Sequence, residues 1–160
     1  MIRPMKIKLQ HICILLALAA VVVCLCFPLI QFIYQDYSSV TMTNFQVENL
    51  NGTHSASPWA LGGLLIAAGL CDLFVLLISP FQNFGLQKRG LILAMLIITG
   101  YYIVYLIFLL VLKADVKVIF PHWTSILPVF SLILDFMAFI AIRHTEAKII
   151  ASGNSFRLRD

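Results

Sequence analysis

Four long apolar runs separated by polar stretches set the pattern of this chain: residues 11–34, 58–79, 91–112 and 126–142. An α-helix rises about 1.5 Å per residue and a bilayer's hydrocarbon core is about 30 Å thick, so about 20 apolar residues cross it. The pattern therefore predicts four transmembrane helices in one domain spanning residues 1–160. The expected fold class is an all-α membrane protein, a four-helix transmembrane bundle with up-down topology. The first run is too long for the apolar region of a signal peptide, about 7–15 residues, and it ends in Phe27-Pro28-Leu29-Ile30-Gln31-Phe32 rather than at a small-x-small cleavage site. It reads as a retained first span, kinked near its end by Pro28.

Between the first two runs lies the longest polar segment, residues 35–57, with Asp36 and Glu48 but no Lys or Arg. Val40, Met42, Phe45 and Val47 roughly alternate with polar residues before Asn51-Gly52, a strand-plus-turn signal that suggests a small hairpin capping the bundle. Asn51-Gly52-Thr53 is also a glycosylation triplet, but a turn explains Asn-Gly equally well. The second run opens with a Pro suited to a first helical turn and a Trp suited to the interface. Its Gly62, Gly63 and Gly69 are expected to let helices pack closely. The fourth helix is expected to continue beyond the membrane to about Ala151, with Gly153 as its stop.

Composition agrees with the pattern. The chain is 61% hydrophobic and 11% charged, with a mean hydropathy of +0.98, whereas a soluble domain carries about a quarter charged residues. The net charge of +4 gives no nucleic-acid surface, because the basic residues sit at the ends of the apolar runs. Nine of the eleven Lys and Arg fall in the N-terminus, the second connection and the tail 143–160. The positive-inside rule then places both termini in the cytoplasm and the loop 35–57 outside. Cys13, Cys24, Cys26 and Cys71 all lie in apolar runs without metal or redox spacing and read as buried free thiols. His11, His54, His122 and His144 lie at span ends or in loops on both sides, so they cannot converge on one metal. No catalytic constellation and no cofactor motif is visible, and the expectation is a protein that is not an enzyme.

The sharpest chemical feature is a pair of intramembrane acids, Asp72 and Asp135. A carboxylate costs about 2.5–3.5 kcal/mol at a helix centre on insertion scales, so such residues normally face the bundle interior. Each acid lies seven residues before the end of its run, Ser79 or Ile142, which puts both about 10 Å from the same boundary. In contact they would share a proton, the chemistry of a proton-coupled transporter. The plainer reading is structural: each acid hydrogen-bonds Thr99, Tyr101, Tyr105 or a backbone carbonyl and fixes helix register. Tyr101 and Tyr105, four residues apart, share a helical face. The residues weighed as an intramembrane polar cluster are thus Asp72, Asp135, Thr99, Tyr101 and Tyr105, with the structural role favoured.

The whole layout resembles a known family. A short basic start leads to a first span, a polar outer loop, a second span and the connection Phe81-Gln82-Asn83-Phe84-Gly85-Leu86-Gln87-Lys88-Arg89. The fourth span ends in Ala141-Ile142-Arg143-His144-Thr145-Glu146-Ala147-Lys148-Ile149-Ile150, and the tail closes with Phe156-Arg157-Leu158-Arg159. This is similar to a bacterial family of small four-span membrane proteins, domain-of-unknown-function family 4293. Asp135 departs from the pattern, which implies Asn or another small polar residue there. The resemblance implies a bacterial inner-membrane location and no assigned activity. The resulting expectation is a non-enzymatic accessory or structural subunit of a membrane assembly, with the lipid bilayer and a homo-oligomer or other membrane proteins as partners. The alternative is a small proton-coupled transporter using Asp72 and Asp135.

Overall fold

In the computed structural model, residues 9–35, 38–49, 54–56, 58–81, 83–112 and 116–157 are described. The apolar runs form α1 (Leu9–Cys26), α2 (Trp59–Ile78), α3 (Phe84–Leu112) and α4 (Leu127–Arg157). Each contains a stretch long and apolar enough to cross a membrane. The helices make a square in which α1 packs on α2 and α4, and α3 packs on the same two. Thus α1 is diagonal to α3, and α2 to α4.

One end of the square is closed by a sheet. Its strands are β1 (Ile30–Tyr34), β2 (Ser39–Met42), β3 (Val47–Asn49), β4 (His54–Ala56) and β5 (Val116–Pro121). They are ordered β4-β3-β2-β1-β5 and are antiparallel throughout. The α1–α2 connection supplies four strands, and the α3–α4 connection adds the fifth along the free edge of β1. Ile30 pairs with Met42 and Phe32 with Val40, while Met42 pairs with Val47. Since side chains alternate across a strand, these five share one face. All are buried against the bundle with Leu61, Leu65, Tyr101 and Tyr105.

This sheet corrects the first predicted span. Residues 11–34 are not one helix: α1 stops at Cys26 and the remainder is strand. Pro28 has no N–H to continue a helix and disfavours helical geometry at Phe27. Beyond it, Ile30, Phe32, Ile33 and Tyr34 are β-branched or aromatic, which suits a pleated surface. Proline therefore ends the helix rather than kinking it. The hairpin signal is realised as β2 and β3, but Phe45 lies in their turn. In that turn the Thr43 backbone N–H donates to Gln46 O at 2.9 Å, and Thr43 Oγ1 accepts from the Gln46 N–H at 3.1 Å. Asn51-Gly52 and its glycosylation triplet lie outside the described residues.

The other two long helices also exceed their predicted bounds. α3 begins at Phe84, seven residues before the apolar run, so Gln87, Lys88 and Arg89 are helical rather than in a loop. Asn83, a residue type favoured at helix starts, accepts the first backbone bond from Gln87 N–H at 3.1 Å. α4 continues through Gly153 to Arg157. A glycine inside a helix costs only about 0.5–1 kcal/mol against alanine and does not by itself end one.

Two expectations about small residues change as well. Gly62 does not serve helix-to-helix packing: a Cβ there would overlap the ring of Phe45, which comes from the β2–β3 turn. Gly63 faces open space, and at Gly69 a Cβ would make only ordinary contacts with Val21 and Leu18. All four thiols are free; Cys13 and Cys24 are buried, but Cys26 is exposed at the end of α1 and Cys71 half-buried.

Candidate functional site

The interior reads as a stack of layers running from the sheet to the opposite end, which carries Lys88, Arg89, Arg143 and Lys148 and is called here the basic end. At the sheet end, helix termini and loops leave backbone groups that need partners. Asn44, fully buried, meets two of these needs and binds a tyrosine hydroxyl as well. Its Nδ2 donates to the Cys24 carbonyl at 2.7 Å, its Oδ1 accepts from the Tyr101 hydroxyl at 3.2 Å, and its carbonyl accepts from Gly62 N–H at 3.0 Å. The Tyr102 hydroxyl donates to Ser125 O at 2.9 Å and accepts from Val129 N–H at 3.0 Å, one of the donors left free at the start of α4. The Tyr105 hydroxyl donates to Ser125 Oγ at 3.3 Å, and Ser125 Oγ donates in turn to Leu29 O at 2.7 Å. Thr124 Oγ1 donates to the carbonyl of Pro28. The tyrosines stack with one another, Tyr101 against Tyr105 at 6.1 Å between centroids. This layer is a polar seam that locks the sheet to the bundle.

Beneath it lie Asp72 on α2 and Asp135 on α4, each 0% exposed. Because α2 and α4 stand on opposite corners of the square, their inward faces look across its axis. The two carboxylates are near enough to act on one another electrostatically. Among the described residues, none of their four oxygens has a hydrogen-bond partner. The structure thus buries both acids inside the bundle on diagonal helices and separates them from the rest of the predicted cluster. Tyr101 and Tyr105 are engaged with Asn44 and Ser125, and Thr99 is exposed, its hydroxyl donating back to Met95 O at 2.9 Å within α3. The predicted hydrogen bonds from Thr99 and the tyrosines to the acids are therefore not made. The reason is geometric: the tyrosine hydroxyls are used by the sheet, whose existence the apolar runs conceal.

Below the acids, Cys13, Ile14, Val75, Leu91, Ala138 and Ile142 pack as a second apolar cluster. Val75 fits against the bare backbone of Gly90, where a Cβ would lie 2.5 Å from Val75 Cγ2. Beyond this cluster a further polar group closes the basic end. His11 Nε2 and Ser79 Oγ are 2.7 Å apart, and Gln10 Nε2 reaches the same hydroxyl at 3.4 Å. Gln10 and Gln87 are 2% and 1% exposed, yet among the described residues Gln10 Oε1, His11 Nδ1 and both amide atoms of Gln87 have no partner. At the surface beside them, Lys88 Nζ pairs with Glu146 Oε2 at 2.7 Å and ties α3 to α4.

A family model described as a domain of unknown function (DUF4293) matches residues 8–153. The chain belongs to the DUF4293 family. A comparison with curated proteins returns no match. Membership of DUF4293 and the four apolar helices together make this a membrane protein of a family without an assigned function. Among the described residues of this DUF4293 chain, no group of three His, Cys, Asp or Glu side chains is placed to hold a metal ion.

The sequence reading missed Asn44, Gln10 and Gln87. Asn44 carried no signal beyond being polar in a loop. Gln87 did carry one: it lies seven and fourteen residues before Ala94 and Tyr101, so it belongs to the buried face of α3. It was hidden by being taken as part of a loop.

Proposed function

We propose that this DUF4293 protein resides in a bacterial inner membrane with both termini in the cytoplasm, and that it binds and moves protons through Asp72 and Asp135. One observation carries this reading: the four carboxylate oxygens of Asp72 and Asp135 are buried and have no hydrogen-bond partner among the described residues. An ionised carboxylate in a protein interior costs several kcal/mol unless it is paired, and a second one beside it adds repulsion. A pair used only to fix helix register would be expected to find donors, as interhelical polar groups in membranes do. A pair that must take up and release protons has reason to leave its oxygens free. The basic end is assigned to the cytoplasm because the Lys and Arg residues gather there. The reaction is proton binding and release rather than bond-making catalysis, so the protein is not an enzyme on this reading.

The test is proton uptake by the reconstituted protein, with stability in detergent measured alongside, for wild type and for Asp72→Asn, Asp135→Asn and the double variant. Wild type is expected to move protons, and either substitution to abolish this while the bundle stays folded, as stable as wild type or more so. If wild type moves no protons and the variants fold equally well or better, the accessory-subunit reading stands instead.

A further inference from the structure

The acids have no solvent contact of their own, so protons need a way in. We propose that Gln10, His11, Ser79 and Gln87 form a water-binding mouth through which protons reach the Asp72–Asp135 pair from the basic end, with the apolar cluster between them as the gate. The proposal rests on the proton-binding reading above and names where that site opens.

Three observations place the mouth here. The cluster holds four buried polar atoms without partners, on Gln10, His11 and Gln87, and buried polar groups left unpaired by protein are where bound water is found. Gln10 and His11 on α1 converge on Ser79, just beyond the last turn of α2, and Gln87 is buried in the first turn of α3 at the same end of the bundle. The cluster is also aligned with the acids. Ser79 follows Asp72 by seven residues, two turns along the same face, which is about 10 Å. Only one apolar layer fills that distance. The charged groups at this end, Lys88 with Glu146, Arg89, Arg143 and His144, sit at or near the surface around the mouth.

The chain of transfer is simple and balanced. A proton from bulk water adds to His11 Nδ1, and the proton on Nε2 leaves to Ser79 Oγ. Ser79 passes its own hydrogen to a water in the opened apolar layer, and that water protonates a carboxylate oxygen of the pair. One proton enters, one O–H bond forms on the acid, and no electron changes hands. Water is the only co-reactant. The 2.7 Å contact between His11 Nε2 and Ser79 Oγ is the one step already in place. The others require the Val75 layer to part.

The experiment uses the full chain in lipid nanodiscs and follows the infrared carbonyl band of a protonated aspartic acid after a pH jump. The band is assigned by its loss in Asp135→Asn. Two variants probe the mouth: Gln87→Leu, which fills the site with an apolar side chain of similar size, and His11→Gln, which keeps a polar group but cannot relay. Both are expected to slow the band's appearance at least tenfold while leaving its final amplitude unchanged. An unchanged rate in folded Gln87→Leu and His11→Gln overturns the mouth and leaves the acid pair standing. Absence of the band in wild type ends both readings. Loss of amplitude along with rate in both variants would mean that the cluster shapes the pair instead of feeding it, and would also overturn the proposal.

Discussion

Replacing Asn44 by Ala should loosen the sheet from the bundle by about 3 kcal/mol. The side chain makes two buried hydrogen bonds, to the Cys24 carbonyl at 2.7 Å and from the Tyr101 hydroxyl at 3.2 Å. Alanine removes both and leaves two groups without partners. Cys24 O is among the carbonyls at the end of α1 that no later helical N–H can reach, and Tyr101 is only 1% exposed. A buried group left unsatisfied costs about 1–3 kcal/mol, so the pair gives about 2–6 kcal/mol. Partial rearrangement of the turn puts the expected value in the lower half of that range. The backbone bond from Gly62 N–H to Asn44 O survives, so the turn stays attached. Tyr101→Phe is the control. It removes one bond of the two and strands only Asn44 Oδ1, so it should cost about 1–3 kcal/mol and less than Asn44→Ala. The assay is reversible unfolding by SDS titration in mixed micelles, followed by far-ultraviolet circular dichroism. A loss of about 3 kcal/mol is about two decades in the folding equilibrium. The reasoning fails if Asn44→Ala stays within 0.5 kcal/mol of wild type, or if Tyr101→Phe costs more than Asn44→Ala.

Gly62→Ala should cost about 1–3 kcal/mol, because its Cβ would overlap the ring of Phe45 and force it out. In the Phe45→Ala background the same substitution should cost almost nothing, a coupling that a double-mutant cycle in the same SDS titration reads directly. The Lys88–Glu146 pair, with side chains 27% and 29% exposed, should contribute about 0–1 kcal/mol. Lys88→Ala should therefore barely shift the thermal midpoint in detergent, and added salt should shrink what effect there is.

How much of this was legible in the sequence depends on which force decides each feature. The second span is read to within a residue at each end because nothing competes with its apolarity: residues 58–79 are expected and Trp59–Ile78 is found. Residues 11–34 fail because a continuous apolar run looks the same whether it enters lipid as a helix or packs as a strand on the end of a bundle. Pro28 was visible, but its effect depends on whether the residues after it have a sheet to join. That sheet needs β5, and the pairing of Ile33 with Val118 joins positions far apart in the chain that no local pattern links. The acids were found for the same reason the second span was. A carboxylate in an apolar run is conspicuous, and both acids are buried inside the bundle. Their partners were not legible, because Tyr101 and Tyr105 look free until Asn44 and Ser125 arrive from the connections.

The two ends of the bundle differ in what it takes to open them, and this bears on how the acid pair could be reached alternately from both sides. Toward the sheet, a path to Asp72 and Asp135 must break the bonds of Asn44, Tyr101, Tyr102, Tyr105, Thr124 and Ser125 and displace the tyrosine stack. With each buried bond worth about 0.5–1.5 kcal/mol net and more when a partner is stranded, that seam holds several kcal/mol against opening. Toward the basic end, beyond the two contacts that His11 and Gln10 make with Ser79, only apolar side chains block the way. They can swing to alternative rotamers without stranding any polar group, and the layer beyond them already holds polar atoms in need of partners. On the proton-binding reading, the resting protein therefore favours exchange with the basic end, where fewer buried bonds stand in the way. On the same reading, a second ligand or partner that drives transport acts at the sheet, where differential binding can offset the cost of opening the seam. A partner that binds the basic end alone cannot.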